Sequence, residues 1–215
     1  FVMMQVFSRD ECARIIAASE ALGYVPDEPA GRTHESLMAG TKAGLEDRAA
    51  NFTLLADESL LAPLLARTRS YLPDTLEDGS KLAGINARWR LYRYYPGAVY
   101  RPHIDGAWPG SGIKDGEYEF DVFGDQRSRF TMVVYLNEDF EGGATTFFTP
   151  APDAEFGVVE ARGVAPRTGS ILTFPHGDGA GSLVHEGSAI TRGTKYILRT
   201  DVLYVRPVNR ASLRS

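Results

Sequence analysis

The chain has one cysteine, Cys12, in 215 residues, so it holds no internal disulfide and lacks the framework of a small secreted scaffold. A lone thiol fits a reducing compartment, and a cytoplasmic location is the expectation. The sequence opens on Phe1 rather than Met, which is compatible with a removed targeting segment. It lacks any apolar run of roughly 18 residues, so no transmembrane helix and no membrane partner are expected. Basic residues are outnumbered, 23 Lys and Arg against 28 Asp and Glu, and the net charge of −5 argues against nucleic acid as a partner. There is no GxGxxG, no P-loop, no alternation of strand with helix and no internal repeat, which leaves no basis for a dinucleotide or nucleotide fold. What remains is an ordinary globular composition, 43% hydrophobic and 24% charged, in a chain long enough for one domain with a sizeable core. Nothing in it fixes an oligomeric state.

The chain reads as a single domain over 1–215, with a helical part at 1–80 and a strand-rich core at 81–206. Ser8-Arg9-Asp10-Glu11 has the form of a capping box. Cys12, Ile15, Ile16, Ala18 and Leu22 follow at helical spacing, and Gly23 is a fitting stop. Residues 26–50 are rich in Pro, Gly, Thr and Asp and predict a loop with short strands. A second helix is predicted over 57–71, its buried stripe made by Leu60, Leu61, Leu64, Leu65 and Thr68 and its end set by Pro73; Pro63 predicts a kink or a late start. After Lys81 come short strands divided by Gly and Pro: 87–95, 98–103, 129–136, 144–148, 158–160, 170–174, 182–186 and 195–204. Some eight strands in one stretch, with helices before them, predict an α+β, mainly β fold of the jelly-roll or barrel type. The segment 106–127 is long, Gly-rich and aromatic, and reads as a lid over a site.

The chemistry centres on His103-Ile104-Asp105. A strand turns residues i and i+2 to one face, so an imidazole and a carboxylate grip one side of an ion, with His185 as a second imidazole. Two His and one carboxylate with open positions are the signature of non-heme Fe(II) oxygenases. Lys195, ten residues beyond His185, supplies a positive charge for an acidic co-substrate. The spacing alone is weak, because His176-Gly177-Asp178 repeats it. That copy sits at a glycine-rich loop, whereas His103 ends a strand-like run, and His176 is read as structural. His34 belongs to no constellation. Arg192, beside Lys195, is a rival anchor read as a solvated turn residue.

Several motifs in order resemble the Fe(II)/2-oxoglutarate dioxygenases, specifically their prolyl 4-hydroxylase-like branch. Tyr94-Tyr95-Pro96-Gly97-Ala98-Val99-Tyr100-Arg101-Pro102-His103-Ile104-Asp105 is similar to that branch's Y-x-x-G-x-x-[YF]-x-x-H-x-D. Val134-Tyr135-Leu136-Asn137 with Glu141-Gly142-Gly143-Ala144-Thr145-Thr146-Phe147 resembles its YLN…GG-x-T-x-F segment, and Gly169–Phe174 its strand before the second His. His185-Glu186-Gly187 and Gly193-Thr194-Lys195-Tyr196 match its H-x-G…G-x-K-[YW] ending. The resemblance spans 84–204. It implies a double-stranded β-helix (jelly roll) with iron in its mouth, His103, Asp105 and His185 as catalytic metal ligands, and Lys195 on the distal carboxylate of 2-oxoglutarate. It places Tyr94 and Thr145, whose alternative reading is strand packing, at co-substrate positions. The cofactors it implies are Fe(II), 2-oxoglutarate and dioxygen, with ascorbate as an optional reductant. The implied reaction releases succinate and carbon dioxide and hydroxylates a C–H bond. Halogenating relatives carry a small residue at the position of Asp105, so its carboxylate points to oxygen transfer.

Arg88, Arg90, Arg93, Arg101, Arg129 and Arg199 crowd the strand-rich region. Arg199 shares strand parity with Lys195 if no bulge intervenes, which makes it a candidate for a substrate carboxylate; the alternative is an ion pair with Asp201 or Glu138. Trp108, Tyr100 and Tyr92 are candidates for a substrate groove, although Tyr92 and Trp89 also read as core. The expected substrate is a prolyl or other side chain of a protein or peptide, with a free amino acid or small metabolite second. A cupin-like metal enzyme that does not use 2-oxoglutarate gives no reason for Lys195, and a binding module that has lost catalysis gives none for an intact triad.

Overall fold

The computed structural model describes residues 1–26, 49–153, 155, 158–177, 179 and 181–207. His34, Asp178 and most of the predicted 26–50 loop lie outside the described residues.

Helix α1 (Arg9–Leu22) starts where the capping box predicts: the Glu11 amide donates to Ser8 Oγ at 3.1 Å and the Ser8 amide to Glu11 Oε2 at 2.8 Å. Its inward face carries Cys12 and Ser19, while Ala18 and Leu22 are exposed. The predicted register there is therefore off by one position, because Ser19 satisfies its hydroxyl on the Ile16 carbonyl and is buried at no hydrogen-bonding cost. Helix α2 (Glu58–Thr68) is capped by Asp57 and starts on time with Pro63 inside it, so the late start does not occur. Leu64 and Thr68 are buried and Leu61 and Leu65 half-buried, but Leu60 is 42% exposed. It sits where the stripe turns toward solvent.

The strands are β1 (Val2–Met3), β2 (Val25–Pro26), β3 (Ala49–Leu55), β4 (Lys81–Ile85), β5 (Arg88–Tyr94), β6 (Tyr100–His103), β7 (Gly112–Lys114), β8 (Glu117–Glu119) and β9 (Gln126–Tyr135). Then follow β10 (Glu141–Gly142), β11 (Thr145–Pro150), β12 (Val159–Val164), β13 (Ile171–Pro175), β14 (Val184–Gly187), β15 (Ile190–Arg192) and β16 (Lys195–Val205). A major antiparallel sheet runs β1-β13-β9-β16-β5-β3-β2, with β4 also on β16. A minor sheet runs β12-β11-β14-β6. The two form a jelly roll, with the helices on the outside of the major sheet. The first eighty residues thus supply strands to the sheet as well as both helices.

Alternation on the central strands explains this layering. Met132, Val134, Leu198 and Val202 face the helices and join Met3, Cys12, Leu64, Trp89 and Leu91 in one core. Val133, Tyr135 and Ile197 face the other way and pack with Tyr92, Phe174 and the minor sheet's Phe147. Because β9 and β16 are buried on both faces, they read as near-continuous apolar runs. Each fully buried aliphatic side chain contributes about 1.5–3 kcal/mol. The polar residues that interrupt the inward face, Thr131, Lys195, Arg199 and Asp201, are buried against that gradient, and they mark the site.

Candidate metal and co-substrate site

His103 ends β6 and His185 lies in β14, and the ladder sets them directly opposite each other, with ring centroids 4.3 Å apart. Asp105 follows β6 by two residues and turns the same way. One ligand atom from each of the three lies within 4.8 Å of the others, and two of the three residues are buried. The Nδ1 of His103 lies 2.7 Å from the Arg101 carbonyl and that of His185 3.2 Å from the Leu183 carbonyl. A carbonyl only accepts, so both rings carry their proton on Nδ1 and turn an Nε2 lone pair inward. His103 Nε2 then faces Asp105 Oδ1 at 3.2 Å, and His185 Nε2 faces Asp105 Oδ2 at 3.6 Å. Two imidazole lone pairs and a carboxylate converging with no proton between them fit a cation. Adjacent positions on an ion with bonds of about 2.1 Å lie about 3 Å apart, so the spacing fits a first-row metal. Burial lowers the pKa of His185, which favours the neutral, ligating form at neutral pH. The donor set of two imidazoles and one carboxylate suits iron.

Asp105 is held from behind. Arg199 approaches its Oδ1 at 2.6 Å and Thr131 Oγ1 donates to Oδ2 at 2.7 Å. Burial opposes its charge, but the charge of Arg199 and the hydrogen bond from Thr131 hold its carboxyl well below the usual carboxylate range. The chain of hydrogen bonds continues outward with one possible direction. The Trp108 amide donates to Ser128 Oγ at 2.7 Å, which leaves the Ser128 hydroxyl to donate to His176 Nε2 at 2.8 Å. His176 Nδ1–H then donates to Thr131 Oγ1 at 2.7 Å, and Thr131 donates to Asp105. His176, the decoy in the sequence, therefore stands behind the triad and outside it, fully buried. Sequence reasoning missed Thr131 and Ser128 in this network. The one available signal was parity, since Thr131 shares the inward face of β9 with Val133 and Tyr135.

Lys195 opens β16 at 5% exposure, with its Nζ donating to the Gly143 carbonyl at 2.6 Å. Among the described residues no carboxylate pairs with it, and burial depresses its pKa to about 8. It lies 5.9 Å from the Tyr94 ring and 5.6 Å from the Tyr135 ring. Gly143 has φ +66°, and a Cβ there would lie 2.4 Å from Ile190 and 3.2 Å from the lysine stem, which explains the Gly-Gly pair. Thr145 shares a 2.7 Å hydrogen bond with the Tyr135 hydroxyl, a partner that the sequence reading did not single out. Arg192, the rival anchor, pairs with Glu141 on the surface.

One cavity is lined by Tyr94, Tyr100, His103, Asp105, Thr145, His185, Lys195 and Arg199, together with Tyr92, Phe174 and Ile197. Arg199 thus faces the mouth, as its parity predicts, since the first register shift of β16 against β9 comes only at Val202/Leu203. Its guanidinium pairs with Asp105, and Glu138 is instead taken by Arg9. Tyr100 packs its ring edge to face against His103 at 4.5 Å. Trp108 stands back from the cavity, with Arg88 over its ring at 4.2 Å. Tyr92 lines the cavity while Trp89 is core. The 106–127 segment is anchored: the Asn86 amide donates to the Pro109 carbonyl, the Ser111 amide to Asn86 Oδ1, and β7 and β8 form a hairpin. Ile113, Tyr118, Phe120 and Phe123 are exposed on it.

A jelly roll that sets two imidazoles and a carboxylate around one point, beside a buried unpaired ammonium, defines a mononuclear metal oxygenase with a dicarboxylic co-substrate. Residues 89–200, just over half of the chain, match the family model described as the 2OG-Fe(II) oxygenase superfamily. The chain belongs to that superfamily, whose cofactors are Fe(II), 2-oxoglutarate and dioxygen. Among curated proteins no sequence matches it. Similar solved structures include the collagen prolyl hydroxylase of Paramecium Bursaria Chlorella virus-1 with 2OG bound, at 18% identity and TM-score 0.56 over 95% of this chain and 94% of that one. A Pseudomonas putida prolyl-4-hydroxylase is similar at 19% identity and TM-score 0.54, over 96% and 92%. A Trichoplax adhaerens prolyl hydroxylase in complex with a hypoxia inducible factor peptide fragment is similar at 14% identity and TM-score 0.59, over 100% and 86%. These likenesses bear out the predicted jelly roll.

Proposed function

We propose that the protein hydroxylates an unactivated C–H bond in a side chain of a peptide, a prolyl ring first among them. The observation that carries the reaction type is the unpaired Lys195 ammonium in the same cavity as the triad. Lys195 binds the far carboxylate of 2-oxoglutarate, and the Tyr94 and Thr145 hydroxyls flank it. His103, Asp105 and His185 hold the metal on one side, so co-substrate and dioxygen share the other. Thr131 and Arg199 keep Asp105 ionised and fixed in orientation. The apolar walls, Phe174 and Ile197, keep water from the reacting centre. When bound, iron with 2-oxoglutarate and dioxygen supplies the oxidising chemistry: one oxygen atom goes to succinate, formed with loss of carbon dioxide, and the other to the hydroxyl group.

The peptide reading is supported by the exposed apolar side chains Ile113 and Tyr118 on the hairpin of the segment that follows Asp105, a surface on which an extended chain can lie. A small acidic metabolite is the second reading, favoured by Arg199 inside the cavity. Incubation of Pro-containing peptides and free amino acids with the protein, Fe(II), ascorbate and 2-oxoglutarate is expected to yield a product heavier by about 16 Da, one oxygen atom. Succinate should appear with it in equal amount. No consumption of 2-oxoglutarate with any substrate, or without one, refutes the reaction type.

A further inference from the structure

On the side of the triad away from Lys195, the inner face of the barrel carries three arginines. On β16, Lys195 and Arg199 are separated by about 13 Å of strand, and Arg199 marks the position of Asp105. The neighbouring strand β5 sets Tyr94 opposite Lys195, Tyr92 opposite Ile197 and Arg90 opposite Arg199. Arg88 continues the same face. Like charges directly opposite on one face of a sheet destabilise it. On its other side Arg90 faces Thr53 of β3, which brings no charge.

Arg88 and Arg90 are both half-buried, and among the described residues neither forms an ion pair. Arg88 lies over the Trp108 ring at 4.2 Å and Arg90 at 6.0 Å. An aromatic face orients a guanidinium but does not neutralise it. Burial and the charge of Arg90 lower the pKa of Arg88. Of the two nearby carboxylates, Asp105 is committed to the triad and to Arg199, and Asp201, fully buried, bears on both arginines by its charge but forms an ion pair with neither. Arg199 also keeps a buried Nε without an acceptor. Three guanidiniums thus share this face with two carboxylates, Asp105 and Asp201, and neither carboxylate forms an ion pair with Arg88 or Arg90.

We infer that the substrate is an anion whose carboxylate docks on Arg90 and Arg88, under Trp108, while the C–H bond to be oxidised lies over the metal. The inference deepens the oxygenase reading and rests on it. The carboxylate comes from an acidic side chain of a peptide or from the free carboxylate of a small acid; both present the same two-oxygen group to a guanidinium.

The test uses the full chain saturated with Mn(II) and 2-oxoglutarate without oxygen, and reads tryptophan fluorescence on titration. The probes are acetyl-Glu-Pro-Glu-amide against acetyl-Gln-Pro-Gln-amide, and acetylproline against acetylproline amide. At least one acid should bind about tenfold or more tightly than its amide. That ratio should fall toward one in Arg90→Gln and in Arg88→Gln. A ratio taken within one protein is insensitive to the folded fraction of a variant. Preference for the peptide acid assigns an acidic peptide; preference for acetylproline assigns a small acid. Equal binding of acid and amide, no binding of either acid, or a ratio that survives both substitutions overturns the inference. Wild-type protein that neither binds nor consumes 2-oxoglutarate overturns the oxygenase reading instead; consumption with no acid preference removes only the anion.

Discussion

Lys195 and His185 serve one cavity, yet their losses should separate. With Lys195 as the proposed anchor, Lys195→Ala removes a charged hydrogen bond to 2-oxoglutarate worth about 1.5–3 kcal/mol and should raise the 2-oxoglutarate KM roughly 10- to 150-fold. Metal affinity, read by calorimetry with Mn(II), should change little. His185→Ala should abolish iron-dependent turnover, since two ligands remain. Equal effects on metal and co-substrate in Lys195→Ala would contradict the anchoring role, and activity retained in His185→Ala would move the ligand assignment. The depressed pKa gives a further handle. Binding needs the ammonium, which the free site loses above pH of about 8. Affinity for 2-oxoglutarate should therefore be flat below that value and weaken by about tenfold per pH unit above it, because one proton must be taken up on binding. Lys195→Arg stays charged across this range, so its affinity should show no such slope. Titrations from pH 7 to 9.5 compare the two.

At the scale of elements, the β7–β8 hairpin is the part whose removal should alter selectivity and spare metal binding. Replacing 112–119 by a short Gly-Ser link leaves the Asn86 contact to Pro109 in place and takes away the exposed Ile113 and Tyr118. Substrate kcat/KM should change several-fold while Mn(II) affinity holds; unchanged substrate kinetics would make the hairpin decorative. The long strands were legible because their apolar alternation is strong and Gly or Pro bounds them; β9, β13 and β16 fall within a few residues of prediction. Strand β3 was not, since it follows a Pro- and Gly-rich stretch and its burial alternates weakly. Two-residue strands such as β1 and β10 carry too few positions to show any period. For the site the contrast is similar. His103, Asp105, His185 and Lys195 stand in motifs of fixed spacing. Thr131 and His176 act only through neighbours brought close by the sheet, and local sequence marks such a neighbour by strand parity at most.

For the molecule as a whole, metal and co-substrate act as folding ligands. They bind the folded chain through groups that three strands and one loop bring together, so occupancy adds stability by mass action, about 2.7 kcal/mol at a hundredfold excess over Kd. For a chain of this size that corresponds to an increase in Tm of roughly 5–10 °C. Mn(II) with 2-oxoglutarate should give it in scanning fluorimetry and EDTA should reverse it; no shift would show that the triad does not close on an ion. Among the described residues no helix is long and apolar enough to cross a membrane.

The two imidazoles are rungs of one ladder, His103 facing His185 across β6 and β14. Because side chains alternate along a strand, adding or deleting a single residue inside either strand would swing its imidazole to the opposite surface of the sheet. The backbone could still close its hydrogen bonds, and the result would be a folded, empty barrel. Descendants of this chain can therefore lengthen the hairpin freely, whereas 100–103 and 184–187, their two histidines apart, tolerate changes of letter but not of length.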